Sequence, residues 1–355
     1  MQDYSCAEIA FDYKAIAECL SSCLFNNVGA AIYAAVVPYL CVFVYAGQEY
    51  FDNKKAKYNF ENKPLKTKVG KARSIFLKQY AELDQQNTYW CLNDFNKSEY
   101  NKFLRKEFPN LRPNQAGRFN NYYIACINDK PVDNYHLSSL SLGCEIGSYV
   151  DDIQPQIQTF IYQMVSFIGN VITAAHLKIE PNTTKITFDE AVYYDINMAY
   201  NYVNFGIQNN PPVLMAFMDI LCSVNAYNEI LTKFNLEKVL DLKIKYLTLF
   251  CGIVGTKNLI NHCRANNIHL EIDCEFEKFI SNINRKYCTS KLRKYCAHYD
   301  YQDMCWESDP VVEAFEAQFK LPIAEVSQVL SDLLLTLSNY LNDFVIKKPF
   351  PKIQQ

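Results

Sequence analysis

The sequence predicts an all-α protein built as a helical bundle, and three observations carry this. Apolar residues recur at helical spacing through most of the second half. Helix punctuation is frequent, with Asn210-Pro211-Pro212 and Asp309-Pro310 the clearest starts. Half of the 355 residues are hydrophobic and 14% aromatic, with ten Gly and 13 Pro, which excludes disordered and low-complexity chains. Domains average roughly 100–200 residues, so two units are expected: an N-terminal helical region over 1–130 and a helical bundle over 131–355.

Spacing predicts a helix over 6–23 and a second through an apolar run ending near 48. Residues 50–72 read as loop. Helical spacing returns over 73–93 and 97–107, the latter opening at Ser98 as N-cap. Pro109, Pro113, Gly117 and Pro131 make 109–135 a loop with a short strand at 121–127, and the boundary between the two units. Over 137–178 a helix presents Phe160, Met164, Phe167, Ile168, Val171 and Ile172 on one face, and Pro181 ends it. Thr187 and Glu190 form a capping-box pair, so a helix is expected from there to about 206. Further helices are expected at 212–234, 237–261 and 273–289. Asp309 and Pro310 supply N-cap and first helical position of the next. The last segment has the strongest amphipathic pattern, with Ile323, Val326, Val329, Leu330, Leu333, Leu334, Leu337, Leu341 and Phe344.

From Cys19 to Gln48 no residue is charged, and Val28–Ala46 is 19 positions of apolar residues with Gly29 and Pro38. That approaches the ~20 residues of a membrane span, and Lys54, Lys55 and Lys57 follow on one side. The run is rich in Ala, has a central Pro and little Leu or Ile, so a buried core or dimer-interface helix is expected. A membrane anchor through 28–46 is the alternative. Residues 1–18 carry four acids and one Lys, the wrong sign for a secretory leader, so a cytoplasmic location is expected. The 14 cysteines form no CxxC pair and read as reduced, mostly buried thiols. No metal site and no cofactor are expected.

The net charge of −3 conceals a division into three blocks. Residues 1–50 are net −4, 51–118 net +8 and 119–355 net −7. Within the basic block, Lys54, Lys55, Lys57, Lys66, Lys68, Lys71 and Arg73 are candidate RNA contacts, with aromatic residues interleaved for stacking. A solvated helix face or loop produces the same lysine run.

No P-loop, GxGxxG, HExxH or GxSxG occurs, which argues against NTPase, dinucleotide, zinc-protease and α/β-hydrolase chemistry. The chemistry-bearing residues gather between the last two predicted long helical segments, in Lys291-Leu292-Arg293-Lys294-Tyr295-Cys296-Ala297-His298-Tyr299-Asp300-Tyr301. Arg293 and His298 are separated by four residues, and Arg264 and His269 repeat that spacing. RNA cleavage by its own 2′-hydroxyl needs a group to take that proton and a cation for the phosphorane. His298 can serve as general base or acid at neutral pH. Arg293 stays charged and can grip phosphate with two hydrogen bonds. Lys294, Tyr299, Asp300 and Tyr301 are candidate positioning contacts. On a regular helix, residues five apart diverge by about 140°, so the pair requires a helix end or a site completed across a dimer. His262 reads as part of a polar surface turn, and His136 and His176 have no assigned role. Asp151-Asp152 reads as a solvated helix start.

Leu292-Arg293 followed by Ala297-His298-Tyr299 resembles the motif of the HEPN superfamily, an R-x4-6-H pattern before the last long helix of a bundle. Residues 185–345 resemble that family's bundle in helix order and length. Where the family often has Asn after the Arg, this chain has Lys294. The resemblance implies a metal-independent endoribonuclease in a toxin or antiphage-defence role, acting on RNA, forming a homodimer and paired with a protein partner or antitoxin. A non-catalytic helical interaction or nucleic-acid-binding module is the alternative.

Overall fold

A computed structural model of the chain describes residues 4–26, 28, 30–54, 60, 62–78, 123–134, 150–180, 185–187, 192–195, 211–299, 301 and 309–346. Among these are ten α-helices, a single 3-10 turn and three short strands. The chain is an all-α helical bundle with a small accessory sheet.

Helix α1 (Tyr4–Phe25) buries Ile9, Tyr13, Ile16, Leu20 and Cys23, a stripe at helical spacing. Helix α2 (Ala30–Asn53) is charged only near its end, at Glu49 and Asp52, and is buried nearly all round, as so apolar a helix in water must be. It is long and apolar enough to cross a membrane, yet 83% of its most apolar window is packed inside the protein. Helix α3 (Lys63–Lys78) occupies part of the segment expected to be loop. Its apolar stripe is sparse, Leu65, Val69, Ala72 and Leu77, and lies hidden among lysines. Asn62 starts it by accepting the Leu65 N–H at 3.2 Å. The expected helix at 97–107 lies outside the described residues.

Strands β1 (Tyr123–Ile127) and β2 (Lys130–Asn134) form a hairpin. Its two turn residues, Asn128 and Asp129, both have positive φ, 53° and 60°, as a type I′ turn requires. The second strand replaces expected loop: its Pro131 signals a breaker, but it is tolerated at a bulged register. Helix α4 (Val150–Ala174) carries the expected apolar face and packs on α1 and α2. Strand β3 (Val192–Asp195) then pairs antiparallel with β1, giving the order β2-β1-β3. This corrects the helix expected from the Thr187–Glu190 pair. The Val-Tyr-Tyr sequence fills the open edge of β1, where a β-branched and aromatic run is favoured over a helix.

The second half follows its sequence closely. Helix α5 (Pro211–Glu229) opens on the expected proline pair, and a 3-10 turn (Leu231–Lys233) leads to α6 (Lys238–Ala265). After it come α7 (Cys274–Tyr287), α8 (Ser290–Ala297), α9 (Pro310–Phe319) and α10 (Ile323–Val345). Asp309 caps α9 by accepting the Val311 N–H at 2.8 Å. Helices α5, α6 and α10 pack on one another. Gly252 makes this close: a Cβ there would sit 2.7 Å from Cδ2 of Leu337. Buried Ser338 donates to Asn225 at 2.6 Å, and Asn225 donates to the Pro131 carbonyl at 2.9 Å, so a polar chain links α10, α5 and β2. The buried apolar residues form one cluster with members on both sides of residue 130, from Ile9 to Val345. The described cysteines are all free thiols, and seven of them are buried, among them Cys41, Cys222 and Cys296.

One charged cluster lies inside this core. Lys243 of α6 is fully buried, with its ammonium 2.7 Å from Asp12 and in direct contact with Glu8, both of α1. Tyr299 donates to the same Asp12 carboxylate at 2.6 Å, and its ring lies 5.3 Å from the Lys243 nitrogen. Burial works against the Lys243 charge, but Asp12, Tyr301 and Glu8 outweigh it and raise its pKa. With two carboxylates for one ammonium, burial pushes Glu8 up to about 7. Removing one member of a buried ion pair leaves the others uncompensated. Lys243→Met is therefore expected to cost about 3–5 kcal/mol, measured as a lower urea midpoint at unchanged slope. A wild-type midpoint would refute it. Because Glu8 is raised above its ordinary 4.5, its contribution is complete below pH 4.5 and lost as pH rises through about 7. Glu8→Gln should gain on wild type between pH 5 and 8 in the same unfolding measurement.

Candidate functional site

Helix α8 is short because both its ends are fixed. The Thr289 hydroxyl accepts the Leu292 N–H at 3.3 Å, capping the start. Tyr246 of α6 accepts the Thr289 N–H at 3.2 Å, anchoring that cap to the core. The inner face buries Leu292, Tyr295, Cys296 and Ala297. His298 then leaves the helix with extended backbone, φ −145° and ψ 150°, while its N–H still donates to the Lys294 carbonyl at 3.0 Å. A helix end therefore falls between Arg293 and His298. In extended backbone, successive side chains point to opposite sides. Tyr299 points to the buried Asp12 carboxylate, and His298 points the other way, to α3.

There it meets Arg73, whose Nη2 lies 3.3 Å from His298 Nε2. A guanidinium can only donate, so this contact is a hydrogen bond when Nε2 carries no proton. Arg73 is only 7% exposed, and its guanidinium lies over the Tyr45 ring at 4.9 Å. Tyr45 in turn donates to Glu49 at 2.8 Å. Gly70 lets α3 approach, since a Cβ there would fall 2.8 Å from the Tyr45 ring. Arg293 lies over Phe250 of α6 at 5.6 Å. Burial holds the His298 pKa below its ordinary value, and Arg73, Arg293 and Lys294 push the same way against Glu49. Among the described residues, the centre is thus a half-buried imidazole, favoured in its neutral form, with three cations and one carboxylate acting on it. Such a site can accept a proton and attract an anion.

The other predicted residues lie elsewhere. Tyr299 and Tyr301 are buried; Tyr301 donates to the Tyr295 carbonyl at 3.4 Å, so both brace the core rather than face a substrate. Asp300, Lys55 and Lys57 lie outside the described residues. Arg264 is exposed at the end of α6 and pairs with Glu277 of α7 at 2.6 Å. His269 is in the exposed segment that follows, 3.8 Å from Glu271. Lys66 pairs with Asp52 at 2.5 Å, Lys68 donates to Gln163 at 3.2 Å, and Lys54 and Lys71 are exposed. Arg73 departs from the basic block it was grouped with, since it is buried in the centre. No grouping suited to holding a metal occurs among the described residues.

Glu49 and Tyr45 were missed by sequence reasoning. Both sit in or beside the apolar run, and nothing local marks them as parts of a site. No protein-family model, no curated protein and no solved structure matches this chain.

Because His298 is depressed below 6.5, the stability it contributes is present above pH 6.5 and is lost as pH falls through its folded value. Wild type is expected to lose stability relative to His298→Gln as pH drops from 7.5 to 5, read from paired urea titrations. A difference that stays constant over that range would show an imidazole of ordinary pKa.

Proposed function

We propose that this protein is a metal-independent endoribonuclease of HEPN type, cytoplasmic, serving a toxin or antiphage-defence role. The observation that supports this most is His298: a neutral, half-buried imidazole at a helix end, with Arg73 at 3.3 Å and Arg293 close enough to act on it. His298 takes the proton of a ribose 2′-hydroxyl, and that oxygen attacks the adjacent phosphorus. Arg293 stabilises the charge on the non-bridging oxygens. The bond to the 5′-oxygen breaks, His298 returns the proton to it, and the products are a 2′,3′-cyclic phosphate and a 5′-hydroxyl. The exposed Lys54, Lys68 and Lys71 supply contacts to the RNA backbone. The packing of α2 inside the protein supports a cytoplasmic location over an anchor through 28–46. Two copies are proposed to associate, held inactive by a protein partner of antitoxin type.

These lysines equally favour a second reading, a nucleic-acid-binding module without catalysis. End-labelled RNA incubated with purified protein in EDTA separates the two. Wild type is expected to yield fragments ending in 2′,3′-cyclic phosphate, and His298→Ala to lose about 10²–10⁴-fold in rate. Equal cleavage by the two would remove His298 from the mechanism. RNA retention without cleavage would establish the binding module.

A further inference from the structure

The proposed reaction leaves one geometric problem, which the position of Arg73 raises. A neutral imidazole has one ring lone pair, and a guanidinium can only donate, so the 3.3 Å contact of Arg73 with Nε2 is a hydrogen bond in the tautomer whose lone pair is on Nε2. In that tautomer the base nitrogen of the free protein is capped. We propose that Arg73 is a third member of the centre: it caps His298 Nε2 in the free protein and moves its donors onto the phosphate of bound RNA, freeing that lone pair for the 2′-hydroxyl proton. This rests on the endoribonuclease reading and adds a substrate-gated base to it.

Three observations set Arg73 apart from the basic helix that carries it. Its neighbours Lys63, Lys68 and Lys71 are exposed, whereas Arg73 is 7% exposed and turned inward. Its guanidinium lies over the Tyr45 ring at 4.9 Å, a cation–π contact. Its partner His298 is 225 residues away in sequence, so the chain brings the two together only through the fold. Among the described residues, the charged groups that act on the imidazole are Arg73 from α3, Glu49 from α2, and Arg293 and Lys294 from α8. Among the described residues, three cations against one carboxylate favour an anion, and a guanidinium prefers phosphate to a neutral ring nitrogen because phosphate brings a full negative charge and accepts two parallel hydrogen bonds. Arg73 belongs to the same chain as His298, so the gate is complete within one copy.

The test follows the His298 ring by NMR pH titration, with inorganic phosphate as probe. In wild type, phosphate is expected to raise the apparent His298 pKa, as the anion takes the guanidinium. Without phosphate, Arg73→Met is expected to raise it as well, and phosphate should then move it less than in wild type. Arg73→Lys, which keeps a donor, should restore part of the depression. An unmoved His298 in wild type with phosphate overturns the proposal without any variant having to fold. An Arg73→Met titration equal to wild type also overturns it. The ring titration and the RNA assay fail separately: capping without cleavage would refute the ribonuclease reading alone. Cleavage by Arg73→Met at the wild-type rate would refute the gate alone.

Discussion

The buried contact between Lys243 and the two carboxylates of α1 governs the arrangement of the rest. Lys243 has no exposure, and neither Glu8 nor Asp12 has more than 8% in its side chain. Desolvating such groups is costly, and only close mutual contact offsets it. The ammonium therefore fixes where α1 lies against α6, across more than 230 residues of sequence. Asp12 uses the same oxygen to accept from Tyr299, which ties the segment after α8 into the cluster. The extended backbone there then turns His298 away from the core. The orientation of the imidazole is set by a network it does not touch.

A second constraint acts from the other side. Helix α3 approaches α2 through Gly70, and the ring of Tyr45 fills the space a side chain would need. Arg73 and Lys66 both lie over that ring, at 4.9 and 5.7 Å. Only one of them reaches His298. Lys66 lies one helical turn before Gly70 and is neutralised by Asp52. Arg73 lies about one turn beyond, where α2, α3 and α8 converge. The local field at His298 is consequently positive although the chain as a whole is net −3. Burial and these cations act together to favour the neutral ring.

Much of the bundle was legible because helical burial writes itself into sequence period. Val326, Leu330, Leu334, Leu337 and Leu341 are fully buried in α10, at positions the stripe already named. Asp309 and Pro310 mark the start of α9 by local chemistry alone. Where the apolar period was thin or the partner distant, the reading was less complete. In α3 four buried apolar residues are outnumbered by five lysines, and β3 exists because β1 has an edge to fill. The Asn128-Asp129 turn was visible in principle, since both residues tolerate positive φ, but Pro131 outweighed it.

Arg293 and His298 could be singled out by spacing, because their chemistry is local to eleven residues. Arg73 could only be counted among basic residues, and Tyr45 and Glu49 could not be singled out at all. Residue identity and period determined the helices, the core faces and the segment carrying the imidazole. Tertiary structure alone decided that Arg73 leaves its lysine neighbours to face His298, and that Tyr299 and Tyr301 serve the core. The physical reason is range: capping and amphipathic burial act within a few turns, whereas a buried charge finds its counterion wherever the packed chain delivers one.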